Sequence, residues 1–95
     1  MATCHGQDSM HYVYILLLSN RQLYTGCTKY LLRRHSEHRA GRVQYTKGKV
    51  LKLIHYEAYS LTSDAVRREK FLKTTEGKRL LRKQIKDLLK QEKLI

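Results

Sequence analysis

The sequence predicts an α+β fold: a small three-stranded antiparallel sheet flanked by helices, in the order β-β-α-β-α-α. Three observations predict it. Two β-rich runs are separated by a short polar break, a third such run follows a helical stretch, and the C-terminal third repeats its apolar residues at helical spacing. Ninety-five residues suffice for one domain.

The elements follow in order. Met1 to Met10 is without periodicity and reads as a flexible leader, with the domain over residues 11–95. His11 to Leu18 is apolar on both faces, as a central strand covered on both sides would be. Ser19 to Gln22 reads as a turn, and Leu23 to Thr25 returns as the second strand of a hairpin. Lys29 to Ala40 reads as a helix, with Leu31, Leu32 and His35 inward, Arg33, Glu37 and Arg39 outward, and Gly41 ending it. Arg42 to Lys49 is a basic loop, and Val50 to Tyr59 a third strand. Thr62 or Ser63 can cap a helix running to about Lys73, with Asp64 in its first turn. Thr75 can cap a last helix with a stripe of Leu80, Leu81, Ile85, Leu88 and Leu89.

Lysine and arginine number 20 against 8 acids, a formal charge of +12 spread evenly: residues 1–60 and 61–95 each carry a surplus of 6. The domain itself is therefore the basic object, and a nucleic acid is the expected partner. The longest apolar run, Tyr12 to Leu18, is too short to span a bilayer, and the first ten residues do not resemble a signal peptide. Two cysteines, Cys4 and Cys27, make neither a disulfide framework nor a zinc-finger pattern. The expectation is a soluble, cytoplasmic protein with no membrane association and no obligatory protein partner.

Candidate chemistry begins with tyrosines. In a hairpin, Tyr14 and Tyr24 can approach each other across the turn. Arg34 and His38 are four apart and share a helix face, and Glu69 sits inside the basic run Arg67-Arg68-Glu69-Lys70. Singly, these also describe sheet tyrosines, a surface Arg/His pair and an ion-pairing glutamate. Arg33, Arg42, Tyr45, Lys47 and Lys49 are candidate nucleic-acid contacts, a mixture of cations with an aromatic ring. Cys4, His5 and His11 are weak candidates for a soft metal; Cys27 reads as a small packing residue and His55 as structural or surface.

Together the residues resemble the GIY-YIG nuclease superfamily. Tyr12-Val13-Tyr14, nine residues, then Tyr24-Thr25-Gly26 is similar to its paired signature, with exchanges common in the small stand-alone bacterial members. The resemblance continues: Arg34 lies ten residues after Tyr24, His38 four residues later, and Glu69 on the helix after the third strand. It implies a metal-dependent endonuclease hydrolysing phosphodiester bonds in DNA, with one divalent cation, Mg²⁺ or Mn²⁺, on Glu69. It also implies that Arg34 neutralises phosphoryl charge and that Tyr14 relays a proton, aided by Tyr24 and His38. Surrounding cations are expected to lower the Tyr14 pKa. Many family members have an asparagine on the last helix; none follows Asn20 here, and Gln84, the nearest amide, is not assigned that role. Without a second DNA-binding unit, single-stranded DNA is favoured over duplex. The alternative is a non-catalytic nucleic-acid-binding module on the same basic surface, which would have no use for Glu69 among its cations.

Overall fold

The computed structural model describes residues 10–95. Strands β1 (His11–Leu18), β2 (Leu23–Thr28) and β3 (Val50–Tyr59) form one antiparallel sheet in the order β2-β1-β3. Helix α1 (Leu31–Arg39) lies between β2 and β3 in sequence, with a short 3-10 turn at Gln44–Thr46; α2 (Thr62–Leu72), α3 (Thr75–Gln84) and α4 (Lys86–Gln91) follow. The expected α+β class, strand arrangement and element order are therefore present. The leader, apart from Met10, falls outside the described residues, and so do Cys4 and His5.

The double-sided apolar run has the predicted consequence: β1 is the central strand, and Val13 to Leu18 are all buried. Side chains alternate across a strand. Val13 and Ile15 pack with Ala65, Leu72, Leu81, Ile85 and Leu89 of the C-terminal helices. Tyr14, Leu16 and Leu18 face the other way, against Tyr24, Leu31, Val50 and Leu53. Fully burying an aliphatic side chain of this size contributes about 2 kcal/mol, so the strand that carries Tyr14 is anchored from both faces.

Several local expectations are corrected. The first helix is shorter than Lys29 to Ala40, and Leu32 is 79% exposed rather than inward. Leu31 takes the inward position at the helix start, and the next residue is turned roughly 100° away. Neither Thr62 nor Ser63 caps α2: extended Leu61 holds the N-cap position without a side-chain bond, and the Thr62 hydroxyl lies 3.0 Å from His11 Nε2. The last helix is capped by Thr74, not Thr75. The Thr74 hydroxyl donates to the Phe71 carbonyl at 2.6 Å and accepts from the Gly77 N–H at 3.0 Å, joining the end of α2 to the start of α3. A Cβ on Gly77 would overlap the Phe71 carbonyl group, so this tight junction requires glycine. The predicted single last helix is two, broken at Ile85; Leu80 is exposed, while Leu81, Ile85 and Leu89 are buried.

Candidate active site

Tyr14 is the centre of the site. Its backbone register places it opposite Gly26 of β2 and Tyr56 of β3. A Cβ on Gly26 would overlap the Tyr14 phenol, so the ring lies over a position where only glycine leaves room. The phenol oxygen is 2.8 Å from His38 Nε2, and His38 Nδ1 is 2.6 Å from Thr46 Oγ1. All three side chains are buried. A neutral imidazole has one N–H and one lone pair, so this chain of hydrogen bonds runs in one direction. Either the Tyr14 O–H donates to Nε2 and the Nδ1–H donates to Thr46, or Thr46 donates to Nδ1 and the Nε2–H donates to Tyr14.

Electrostatics keep the pair neutral. Burial first, then the Arg34 charge and the neighbouring His35, push His38 below its ordinary value against an opposing pull from Glu37. Burial also pushes Tyr14 well above the usual phenol range; Tyr24, Glu69 and Cys27 add to the rise, and only Arg34 opposes it. The expectation of a phenol pKa lowered by surrounding cations is thus corrected: removal from water outweighs the one cation that acts on it.

The other expected residues gather around this pair. Tyr24 stacks obliquely near Tyr14, its ring centroid 6.4 Å away, and meets the His38 ring edge-on at 5.2 Å. Arg34, half-exposed and 3.5 Å from Glu37, is close enough for its charge to act on both Tyr14 and His38. Glu69 comes from α2 on the far side; its charge raises both Tyr14 and Cys27, and its carboxylate holds Lys73 Nζ at 3.1 Å. Tyr45 lies 5.5 Å from the Tyr24 ring, with Lys49 Nζ 5.9 Å above it. Arg42 and Lys47 are exposed on the same loop, and Arg33 instead covers the Tyr30 ring at 4.4 Å.

Three groups escaped the sequence reading. Thr46 resembles any loop hydroxyl in sequence, yet it is the buried partner of His38. Lys73 and Lys78 face Tyr24 and Tyr45 across a recess of about 390 Å³. Their helical spacing offered no signal, because only the tertiary packing of α2 and α3 brings them to β2. Conversely, Gln84 accepts from Arg68 at 3.3 Å and belongs to a different cluster, and His55 is bonded to Glu57 at 3.1 Å, a structural role. Cys27 packs against the helical core. His35 points its Nε2 into the interior with no hydrogen-bond partner among the described residues, and burial holds it below its ordinary pKa.

A metal fits only in a sparing way. Among the described residues no three His, Cys, Asp or Glu side chains converge into a cage. A hard cation that keeps most of its waters needs only one or two carboxylates, and Glu69, near enough for its charge to act on Tyr14, offers one, with Lys73 as the competing cation. No described helix is long and apolar enough to cross a membrane.

Comparison with known proteins supplies the context. The model of the GIY-YIG catalytic domain matches residues 10–86. A UPF0213 protein of Haloquadratum walsbyi is 41% identical over 69 residues, covering 70% of this chain and 78% of the relative. A UPF0213 protein of Listeria monocytogenes is 41% identical over 63 residues, covering 64% and 70%. The solution NMR structure of a UPF0213 protein from Bacillus halodurans superposes with a TM-score of 0.50 at 33% identity, covering 76% of this chain and 81% of that one.

Proposed function

Since the chain belongs to the GIY-YIG family, we propose that it is a metal-dependent endonuclease that hydrolyses phosphodiester bonds in DNA, single strands in preference to duplex. The nuclease domain is residues 11–95, and residues 1–10 are dispensable for folding and cleavage. The observation that carries this reading is the buried Tyr14–His38–Thr46 chain, held between a cation, Arg34, and a carboxylate, Glu69.

The raised pKa of Tyr14 argues against a standing tyrosinate. A concerted relay that never leaves the charge on the phenol suits the geometry better. His38, with its Nδ1–H donating to Thr46, keeps Nε2 free to accept the Tyr14 proton. Tyr14 then takes a proton from the attacking water as it passes its own to His38, so the charge falls on the His38 imidazolium and not on a buried phenolate, and the lowered pKa of His38 makes it release that proton to solvent or to the leaving oxygen and reset the site. Arg34 offers forked donors to the phosphoryl oxygens as their charge grows. Glu69 would hold one divalent ion, Mg²⁺ or Mn²⁺, which when bound polarises the phosphodiester and stabilises the leaving oxygen. Tyr24, Tyr45, Lys49, Lys73 and Lys78 line the approach, where an unpaired strand can be gripped by charge and stacking. Arg33, Arg42 and Lys47 add exposed positive charge.

The test is cleavage of one labelled sequence presented as single strand, flap and duplex, and of the matching RNA, with Mg²⁺, Mn²⁺ or EDTA. Metal-dependent cutting, fastest on the single DNA strand and abolished in a folded Glu69→Gln variant, is the expected outcome. Binding without cutting under every condition would replace this reading with that of a binding module; normal cleavage by Glu69→Gln would remove Glu69 from the metal site.

A further inference from the structure

A second feature of the Tyr14 face is unused by this chemistry. Tyr12 precedes Tyr14 by two residues on β1, so both rings stand on the same side of the sheet, about 7 Å apart along the strand. Tyr12 meets Tyr56 of β3 edge-to-face, with ring centroids 5.9 Å apart. Together with Tyr30 and Leu53 they line a cleft of about 700 Å³, with Lys29 and Arg33 on its rim. Tyr30 and Tyr56 are each 54% exposed, and the Arg33 guanidinium, 4.4 Å from the Tyr30 ring centroid, steadies that ring. On a protein that buries β1 from Val13 to Leu18, the open rings of Tyr30 and Tyr56 in this cleft near Tyr14 expose more aromatic surface than packing of Leu53 and Tyr12 requires.

We propose that this cleft binds one unpaired nucleobase of the substrate strand, stacked on Tyr56 and Tyr30, with Lys29 and Arg33 on the adjoining phosphate. The proposal rests on the nuclease reading above and extends its site. Two observations select a nucleic-acid strand as the occupant. The rim is cationic against an apolar floor, the complement of a base with its phosphate. The cleft also continues the Tyr14 surface: Tyr24 pairs with Leu16, two residues beyond Tyr14, and Tyr12 lies two residues before it. The Tyr24–Tyr45 stack and the new cleft therefore flank Tyr14 on opposite sides along β1, and a strand crossing the site would meet an aromatic platform at each end. A paired base cannot enter such a cleft, which gives the preference for single strands a physical origin.

The experiment is fluorescence-anisotropy binding of a labelled single-stranded oligodeoxynucleotide in EDTA, beside the same backbone made of abasic nucleotides. Tyr56→Ala is expected to weaken binding of the normal strand roughly ten-fold and to leave the abasic strand unchanged, with Tyr56→Trp restoring affinity. Lys29→Ala and Arg33→Ala are expected to weaken both strands alike and to flatten the salt dependence. Equal affinity of wild type for normal and abasic strands, or wild-type binding by both Tyr56→Ala and Tyr30→Ala, would overturn the proposal. So would a concentration-dependent dimer in sedimentation that Tyr56→Ala dissolves, since the occupant would then be a second copy. Cleavage is scored separately with Mg²⁺: a wild type that binds through the cleft but never cuts defeats the nuclease reading and leaves the base site standing.

Discussion

Two polar clusters, one buried and one half-buried, sit on opposite faces of the same sheet, and they handle charge in opposite ways. On the α1 face, Tyr14, His38 and Thr46 are removed from water without a full counter-charge, and burial drives both titratable groups toward neutrality. On the helical face, Glu57 accepts hydrogen bonds from Arg68 Nε at 2.8 Å, Arg68 Nη2 at 3.2 Å and the Tyr59 hydroxyl at 2.7 Å, with His55 at 3.1 Å. Burial alone would raise the Glu57 pKa, but these partners outweigh it and hold the carboxyl at about 2. Glu57 is saturated, whereas the Tyr14 chain retains a proton that can move. The comparison teaches that a polar group removed from water does not by itself mark a site; titratable groups that share a hydrogen bond and lack a counter-charge are the better candidates. The saturated cluster has its own task. It ties β3 to α2 through Arg68, the residue next to Glu69, and so helps set where the carboxylate proposed to hold the metal stands.

The sharpest break is Tyr14→Phe, which removes the mobile proton and little volume. Cleavage should fall by about 10²-fold or more while the thermal melt stays near wild type; an unchanged rate would end the relay. Glu57→Gln should do the reverse. It leaves Arg68 without its charge partner, costing about 2 kcal/mol of stability read by denaturant unfolding, and the rate per folded molecule should change far less. The same residue has a pH signature. Its folded pKa lies below the unfolded value of 4.5, so its stabilising contribution is complete above about pH 4.5 and is lost as pH falls toward 2. Acid unfolding in that window should weaken in Glu57→Gln.

Thr46→Val is subtler. It keeps the shape and removes the hydroxyl that orients His38, so cleavage should drop roughly ten-fold through kcat rather than KM, the scale of one neutral hydrogen bond. A stability loss of no more than about 1–3 kcal/mol, from the unpartnered His38 Nδ1, with a cooperative melt and an altered pH profile would separate this from simple misfolding. The smallest effect is on His38 itself. Its folded pKa lies below 6.5, so the unfolded chain binds a proton more readily than the folded one. Stability should therefore decline modestly as pH falls below 6.5, and cleavage should decline as pH passes through the folded value; Tyr14→Phe should retain the stability trend and lose the rate trend.

Much of the fold was legible in the sequence. The double-sided run from Val13 to Leu18 can be satisfied only by a central strand, and the polar break at Ser19 to Gln22 fixes the hairpin that brings Tyr24 near Tyr14. Helix ends were less legible because capping is a contest among adjacent hydroxyls: Thr74 prevails over Thr75 since its oxygen reaches both Phe71 and Gly77. Leu32 and Leu80 were misplaced because each adjoins the leucine that packs inward, Leu31 or Leu81, and neighbouring helical side chains are turned roughly 100° apart. In the candidate site, the spacing of Tyr14, Tyr24, Arg34, His38 and Glu69 was readable, and the structure gathers them. Thr46, Lys73 and Lys78 were not readable, because each reaches the site by tertiary packing. The direction of the Tyr14 shift was misread for a related reason: composition reports how many cations a chain has, but not how much water a phenol loses.

Gly26 turns the site into a genetic readout. Every replacement at that position adds a Cβ, and the Cβ meets the Tyr14 phenol before size, charge or polarity of the rest can matter. The ring would have to leave His38, while the helical core on the other face would remain intact. In a library of all substitutions selected for cleavage, position 26 should therefore give a flat column in which alanine fares no better than glutamate, unlike the graded tolerance expected at exposed Leu32. Sorting the same library for folded protein should recover the smaller Gly26 variants, so the two selections together would trace where tolerance of the fold and tolerance of the chemistry part company.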